Sequence, residues 1–148
     1  MKKVIFIFLI LILASCKTQN KYSDFDYSYS RSGGFAPIYE NLLIKGNNAH
    51  YSFEAQEKKI KKDFQISNED LKNIESVLTQ NNFRSIQEDY KKIYDHISTA
   101  INVTNGANSG RKSDAAYIMA KDQKRWEAVT NVFKQIISAN TNVVGSKK

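Results

Sequence analysis

Between Phe25 and Ile66 the apolar residues recur largely at every second position. That period narrows the possible folds more than any other feature, because only an extended strand puts alternate residues on one side. Phe25, Tyr27 and Tyr29 share one side of the first run, with Asp24, Asp26, Ser28 and Ser30 on the other. Such an aromatic ladder could serve as a sugar-stacking platform, although a first strand that turns its aromatics into the core is the commoner arrangement. Arg31–Pro37 reads as a loop: Gly33 and Gly34 permit positive φ, and Pro37 stiffens the exit. Ile38–Ile44 is a second strand. Lys45-Gly46-Asn47-Asn48 has the chemistry of a tight hairpin turn leading into Ala49–Ala55, which places Tyr51 and Phe53 together. In the fourth strand Ile60, Phe64 and Ile66 keep a shared face across the Lys58–Lys62 run. Lysines at that density suit a sheet edge, where they deter pairing with other chains. The same run could attract anionic headgroups or lipopolysaccharide.

After Ile66 the period changes. Ser67-Asn68-Glu69-Asp70 resembles a capping box, with Ser67 as N-cap and acids where they complement the helix dipole. Leu71, Ile74, Val77 and Leu78 then fall at helical spacing, and Asn81-Asn82 stops the helix. Phe83 and Ile86 fold back onto the core, and Glu88–Asp95 reads equally as irregular linker or short helix. A strand at Ile97–Thr104, a loop at Asn105–Gly110 and a returning strand at Lys112–Met119 follow. Asp122 is placed to cap a second helix with Trp126, Val129, Phe133, Ile136 and Ile137 on one stripe, ending near Asn140. The order β-β-β-β-α-β-β-α with hairpin-type links predicts an α+β fold: an antiparallel sheet of about six strands, two helices on one face and the other face partly solvated. The expected interior is a filled core, without a concave pocket of converging polar groups.

The first sixteen residues obey a different logic. Lys2 and Lys3 precede the apolar run Val4–Leu13. Ten residues of helix reach roughly 15 Å, about half of a ~30 Å hydrocarbon layer. With the small residues Ala14 and Ser15 ahead of Cys16, this is the layout of a cleaved secretory signal. Leu13-Ala14-Ser15-Cys16 also resembles the lipobox of bacterial lipoproteins. The resemblance implies a signal peptide at 1–15 and a mature chain that begins at lipidated Cys16, the palmitate-bearing residue. Each buried CH₂ contributes about 0.8 kcal/mol, so two or more acyl chains anchor a protein durably. Residues 16–23 are the expected tether, 24–141 a single α+β domain and 142–148 a fraying tail. Lys17-Thr18-Gln19-Asn20 lacks the aspartate that resembles an inner-membrane retention signal and the acidic cluster that resembles a surface-export signal. The expected location is therefore the outer membrane, facing the periplasm. The overall pattern resembles small, uncharacterised lipoproteins of Bacteroidota.

Without Lys2 and Lys3, twenty basic and fifteen acidic residues remain. They are spread along the chain, where a nucleic-acid binder would concentrate them on one element between aromatics. No nucleic-acid partner is expected. Cys16 is the single cysteine, which leaves none for a disulfide, a metal or catalysis once it is lipidated.

Chemical motifs fall short of their requirements. Gly106–Ser113 comes within one residue of a phosphate-binding loop, but Arg111 stands where the backbone needs a second glycine, and the segment joins two strands. Its Gly-x-x-Ser-Gly order around Ser109 misses the nucleophile elbow. His50 and Glu54 share a strand face about 13 Å apart, too far for one ion. Asp24 and Asp26 lie close enough to share a cation, and a glycosidase would set such a pair across a cleft. Asp95-His96 is the polar pair best suited to general-base work, yet no serine is placed to complete a triad. The expectation is no catalytic residue, no cofactor and no metal. The membrane, through the lipid on Cys16, is the expected contact, with a protein partner held by a sheet face or loop such as Arg31–Pro37. Nothing in the sequence specifies an oligomer. A small envelope inhibitor or immunity protein, or a hydrolase, forms the alternative class.

Overall fold

Two short turns organise the first half of the sheet. Lys45 pairs with Asn48 around Gly46-Asn47, and Ala55 pairs with Lys58 around Gln56-Glu57. Gly46 and Gln56 take φ of 54° and 46°, the left-handed conformation that such turns demand. In consequence β1 (Tyr27–Gly33), β2 (Ile38–Lys45), β3 (Asn48–Ala55) and β4 (Lys58–Gln65) form an antiparallel meander. A computed structural model describes residues 24–91 and 95–141. The expected signal peptide, Cys16, the tether and the tail lie outside the described residues.

After the helix α1 (Asn68–Gln80), β5 (Ile97–Val103) returns antiparallel to the other side of β1, and β6 (Gly110–Ser113) pairs beyond it. The strand order is β4-β3-β2-β1-β5-β6, so the first strand ends up inside the sheet. Gly33 makes this possible at its far end. A Cβ there would stand 2.6 Å from the His96 carbonyl oxygen, and φ is 109°, a conformation that side chains resist.

The core lies between one face of the sheet and the two helices, α1 and α2 (Gln123–Thr141). Tyr29, Leu42, Ile44, Tyr51, Ile101 and Val103 from the strands are buried against Ile74 and Leu78 of α1 and Trp126, Val129, Phe133, Ile136 and Ile137 of α2. Tyr29 stacks on Phe133 with ring centroids 5.7 Å apart. Ser67 caps α1 as its sequence implies: its hydroxyl oxygen accepts from the Asp70 amide at 3.0 Å, and the Asp70 carboxylate accepts from the Ser67 amide at 3.2 Å. The helix stops at Asn81, and Asn82 takes φ of 45°.

Four sequence expectations require correction. Arg31, Ser32 and Gly33 belong to β1, and the turn proper begins at Gly34. Phe25 leaves the Tyr27–Tyr29 face because the chain bends at Asp26, whose amide is taken by the Ile44 carbonyl and whose side chain is held by Gly46. The strand expected over Lys112–Met119 ends at Ser113. There the Asp114 side chain takes the Thr99 amide in place of a ladder carbonyl, a local competition with the sheet that short acids excel at. Ile118 pairs instead with Glu88. Finally, Asp122 does not cap α2. It sits in the short 3-10 turn Ala120–Asp122 before the helix, where its carboxylate accepts from the Gln87 amide at 2.8 Å and pairs with Arg125. It thereby ties the inter-helix connection to the start of α2.

Buried polar groups reinforce this arrangement unevenly. Glu40 lies on the covered face at 6% exposure, matched by Arg31 at 2.9 Å and by the Tyr51 hydroxyl, which donates at 2.8 Å. Burial, and then the Glu40 carboxylate, push the Tyr51 phenol well above its ordinary range. The Tyr29 hydroxyl is buried with no hydrogen-bond partner among the described residues. The two tyrosines should therefore respond oppositely to loss of oxygen. Tyr51→Phe leaves a buried carboxylate oxygen short of a donor and should cost about 1–3 kcal/mol. Tyr29→Phe removes an unsatisfied group and should leave stability at or above that of the parent. Urea denaturation of both variants checks this, and a loss at Tyr29 as large as at Tyr51 would contradict it.

Candidate functional site

The face of the sheet away from the helices carries Ser28, Ser30, Asn41, Ser52 and Asn102 at registered positions, and it is not flat. At the end nearest Asp24 a concavity of about 340 Å³ opens, lined by Phe25, Leu43, Lys45, His50 and Asp63 among others. The interior is filled as expected, but this hollow on the outer face was not foreseen. Phe25 and Leu43 supply its apolar part, and the bend at Asp26 that turns Phe25 out of the core is what creates it.

His50 and Asp63 face each other across the β3–β4 ladder, with His50 Nδ1 2.5 Å from the Asp63 carboxylate. The His50 side chain is 17% exposed and that of Asp63 69%. A carboxylate against one ring nitrogen orients an imidazole. Sequence reasoning compared His50 with Glu54 on its own strand and missed this pair. The signal was present: a turn at Gln56-Glu57 pairs Ala55 with Lys58, and counting back along both strands brings His50 opposite Asp63.

On the rim, Lys45 reaches both early aspartates, at 3.0 Å from Asp24 and 3.3 Å from Asp26. The cation they share is thus this ammonium. The Gly46 amide, donating at 2.7 Å, is the largest influence on the Asp26 carboxyl and holds it below its ordinary value; burial, next in size, opposes this, and Lys45 adds to the lowering. Behind the rim, on the covered face, the Tyr27 hydroxyl donates to Glu75 at 2.9 Å. Burial and that carboxylate push the Tyr27 phenol up to about 12. Asn108 donates to the same Glu75 at 2.7 Å and to Thr79 at 2.9 Å, binding the β5–β6 loop to α1.

The remaining sequence candidates disperse. Asp95 is exposed, with φ of 60°. His96 stacks on Tyr117 with centroids 5.7 Å apart, and its Nε2 lies 3.1 Å from the Asp114 carbonyl oxygen. They stand at the Gly33 end of β5, at the opposite end of the sheet from the hollow. The near phosphate-binding segment joins β5 to β6, as expected. In the Arg31–Pro37 stretch Phe35 is 96% exposed. The Lys58–Lys62 run occupies β4, the edge of the sheet. No serine, threonine or cysteine is among the described residues lining the hollow. No group of three or more His, Cys, Asp or Glu among the described residues is placed to hold a metal.

These features define an α+β protein with a one-sided antiparallel sheet, its open face hollowed beside a His–Asp pair. No family model matches the sequence, and no curated protein matches it.

The depressed carboxyls set an acid limit to stability. A carboxylate whose folded pKa lies below its ordinary 3.8 stabilises the fold above that value, and the contribution is lost as pH falls through the lower folded value. Asp122, lowered by Arg125 first and the Gln87 amide second, acts in the same direction. Asp26→Asn should therefore be less stable than the parent at pH 7, and the gap should narrow as the pH drops below about 3.8. Urea midpoints at pH 7 and pH 3 test this, and a gap that widens in acid would contradict it.

Proposed function

We propose that this chain is a lipoprotein of the outer membrane, anchored through acyl chains on Cys16, whose folded body is a non-catalytic binding module facing the periplasm. The observation that carries the reading is the one-sidedness of the sheet. Two helices seal one face, while the other presents a small concavity whose rim includes Asp24, eight positions after Cys16. A shallow hollow with an apolar floor, a few polar groups and no serine, threonine or cysteine among its described lining residues suits holding a partner better than transforming one. No helix among the described residues is long and apolar enough to cross a membrane, so in this reading attachment falls to the lipid. Cys16 as the single cysteine also leaves the fold to rely on packing and buried hydrogen bonds.

The anchor is tested in cells that express the full chain. The parent should incorporate an alkyne-labelled palmitate and fractionate with outer membranes. Cys16→Ser should lose the label and leave the membrane fraction. A parent that takes up no label, or a Cys16→Ser chain that stays with the membrane, would overturn the proposal.

A further inference from the structure

β4 is an edge strand with no strand beyond it among the described residues, and its backbone polarity can be worked out. The Ile66 amide donates to the Asn47 carbonyl at 2.9 Å, so the bonded pairs of this antiparallel ladder fall at every second position from there. Lys58, Ile60, Lys62 and Phe64 spend their backbone groups on β3. Lys59 and Lys61 turn theirs outward, and their side chains lie on the open face, registered with Glu54 and Ser52. Lys59 pairs with Glu54 at 3.0 Å in an exposed bridge, whereas Lys61 has no partner among the described residues. Ile60 and Phe64, on the covered face, are partly buried hydrophobics at the margin of the core.

From this we infer that β4 accepts an extended peptide segment of a partner protein as a seventh strand, and that the segment alternates acidic with apolar residues. Main-chain hydrogen bonds to Lys59 and Lys61 supply the attachment, and alternate side chains supply the choice. Residues beside Lys59 and Lys61 on the open face meet positive charge, so acids fit there. Their neighbours turn to the covered face and extend the apolar margin at Ile60 and Phe64. A second copy of β4 fits poorly, since lysines would face lysines. A flat anionic membrane fits poorly too, because Lys59 and Lys61 point to one side of the sheet and Lys58 and Lys62 to the other. Lys62 is moreover spent on the Asn140 carbonyl at the end of α2. The hollow lies against the same strand, with Asp63 and Gln65 in its wall, so an added strand would lengthen that wall. The inference rests on reading the domain as a binding module, but not on the anchor.

The test uses the nitrogen-15-labelled full chain in phosphatidylcholine nanodiscs, titrated with the hexapeptide Glu-Val-Glu-Val-Glu-Val and with its Lys-for-Glu counterpart. The expected result is shifted resonances and slowed amide exchange at Lys59 and Lys61, with the acidic peptide binding at least tenfold more tightly than the basic one. Lys59→Glu combined with Lys61→Glu should reverse that preference. Both side chains are exposed, so the fold should be unaffected. Lys61→Pro removes an outward amide without touching the β3 ladder and should weaken the acidic peptide. Equal affinity for both peptides, or shifts without slowed exchange, would overturn the inference. So would the same shifts arising without peptide when phosphatidylglycerol replaces the lipid, which would assign the lysines to headgroups. A chain that ignores the peptides yet crosslinks a partner through the hollow would keep the binding module and lose the edge.

Discussion

Tyr29 against Phe133 is the contact around which this molecule closes. Tyr29 lies at the middle of β1, registered with Leu42 on one side and Ile101 on the other. Its place on the sheet is therefore set by two ladders, independently of the helices. Phe133 lies at the middle of α2, and stacking the two rings sets the depth at which that helix rests on the sheet. Burial on this scale contributes roughly 1.5–3 kcal/mol for each large side chain. The Tyr29 hydroxyl, which has no partner among the described residues, works against that gain, and the surrounding apolar contacts outweigh it. Ile74 and Leu78 of α1 complete the same layer.

Polar ties then determine which edges of this layer stay shut. Arg31, Glu40 and Tyr51 close the covered face near the Gly34 turn, while Tyr27, Glu75 and Asn108 close it near Asp24. Asp122 and Arg125 lock the connection between α1 and β5 against the start of α2, and Asp114 receives the Trp126 indole N–H at 2.9 Å. Some of these ties join elements distant in sequence, Tyr27 to Glu75 and Gln87 to Asp122 among them, others join neighbouring strands, and each satisfies a group that would otherwise be costly to bury. In a chain without a disulfide these contacts do the work of staples.

The open face follows from the same economy. Two helices cover one side of the six-stranded sheet, and no further element among the described residues covers the other side, which is polar along most of its ladders. Its exceptions are informative. Phe25 and Leu43 put apolar surface where water would otherwise sit, and His50 with Asp63 places an oriented imidazole beside it. At the margin, the lysines of β4 keep like strands away while leaving a row of outward amides, a combination that filters partners by charge.

Much of the architecture was legible in the residues alone. Period two through Ile66, the capping box at Ser67 and the stripe from Trp126 to Ile137 are local signals, and each produced the element it implied, because backbone preference and side-chain periodicity act over a few residues. Even the His50–Asp63 pair was implicit in a turn length. Other features depended on groups far apart in the chain. That β5 docks beside β1 is decided by a crossing at Gly33 and His96, residues sixty-three positions apart. Asp122 and Asp114 looked like a helix cap and a mid-strand residue until Gln87, Arg125 and Thr99 came within reach and claimed their carboxylates. Phe25 left its ladder because Gly46 and Lys45, brought round by a hairpin, hold Asp26. Sequence by itself determined the first four strands from Tyr27 onward, the two helices and the face those strands would bury, since those are set by neighbouring residues. Tertiary structure alone decided the order of strands, the partners of the buried acids and the hollow on the open face, since each of these depends on which distant polar groups compete for the same hydrogen bonds.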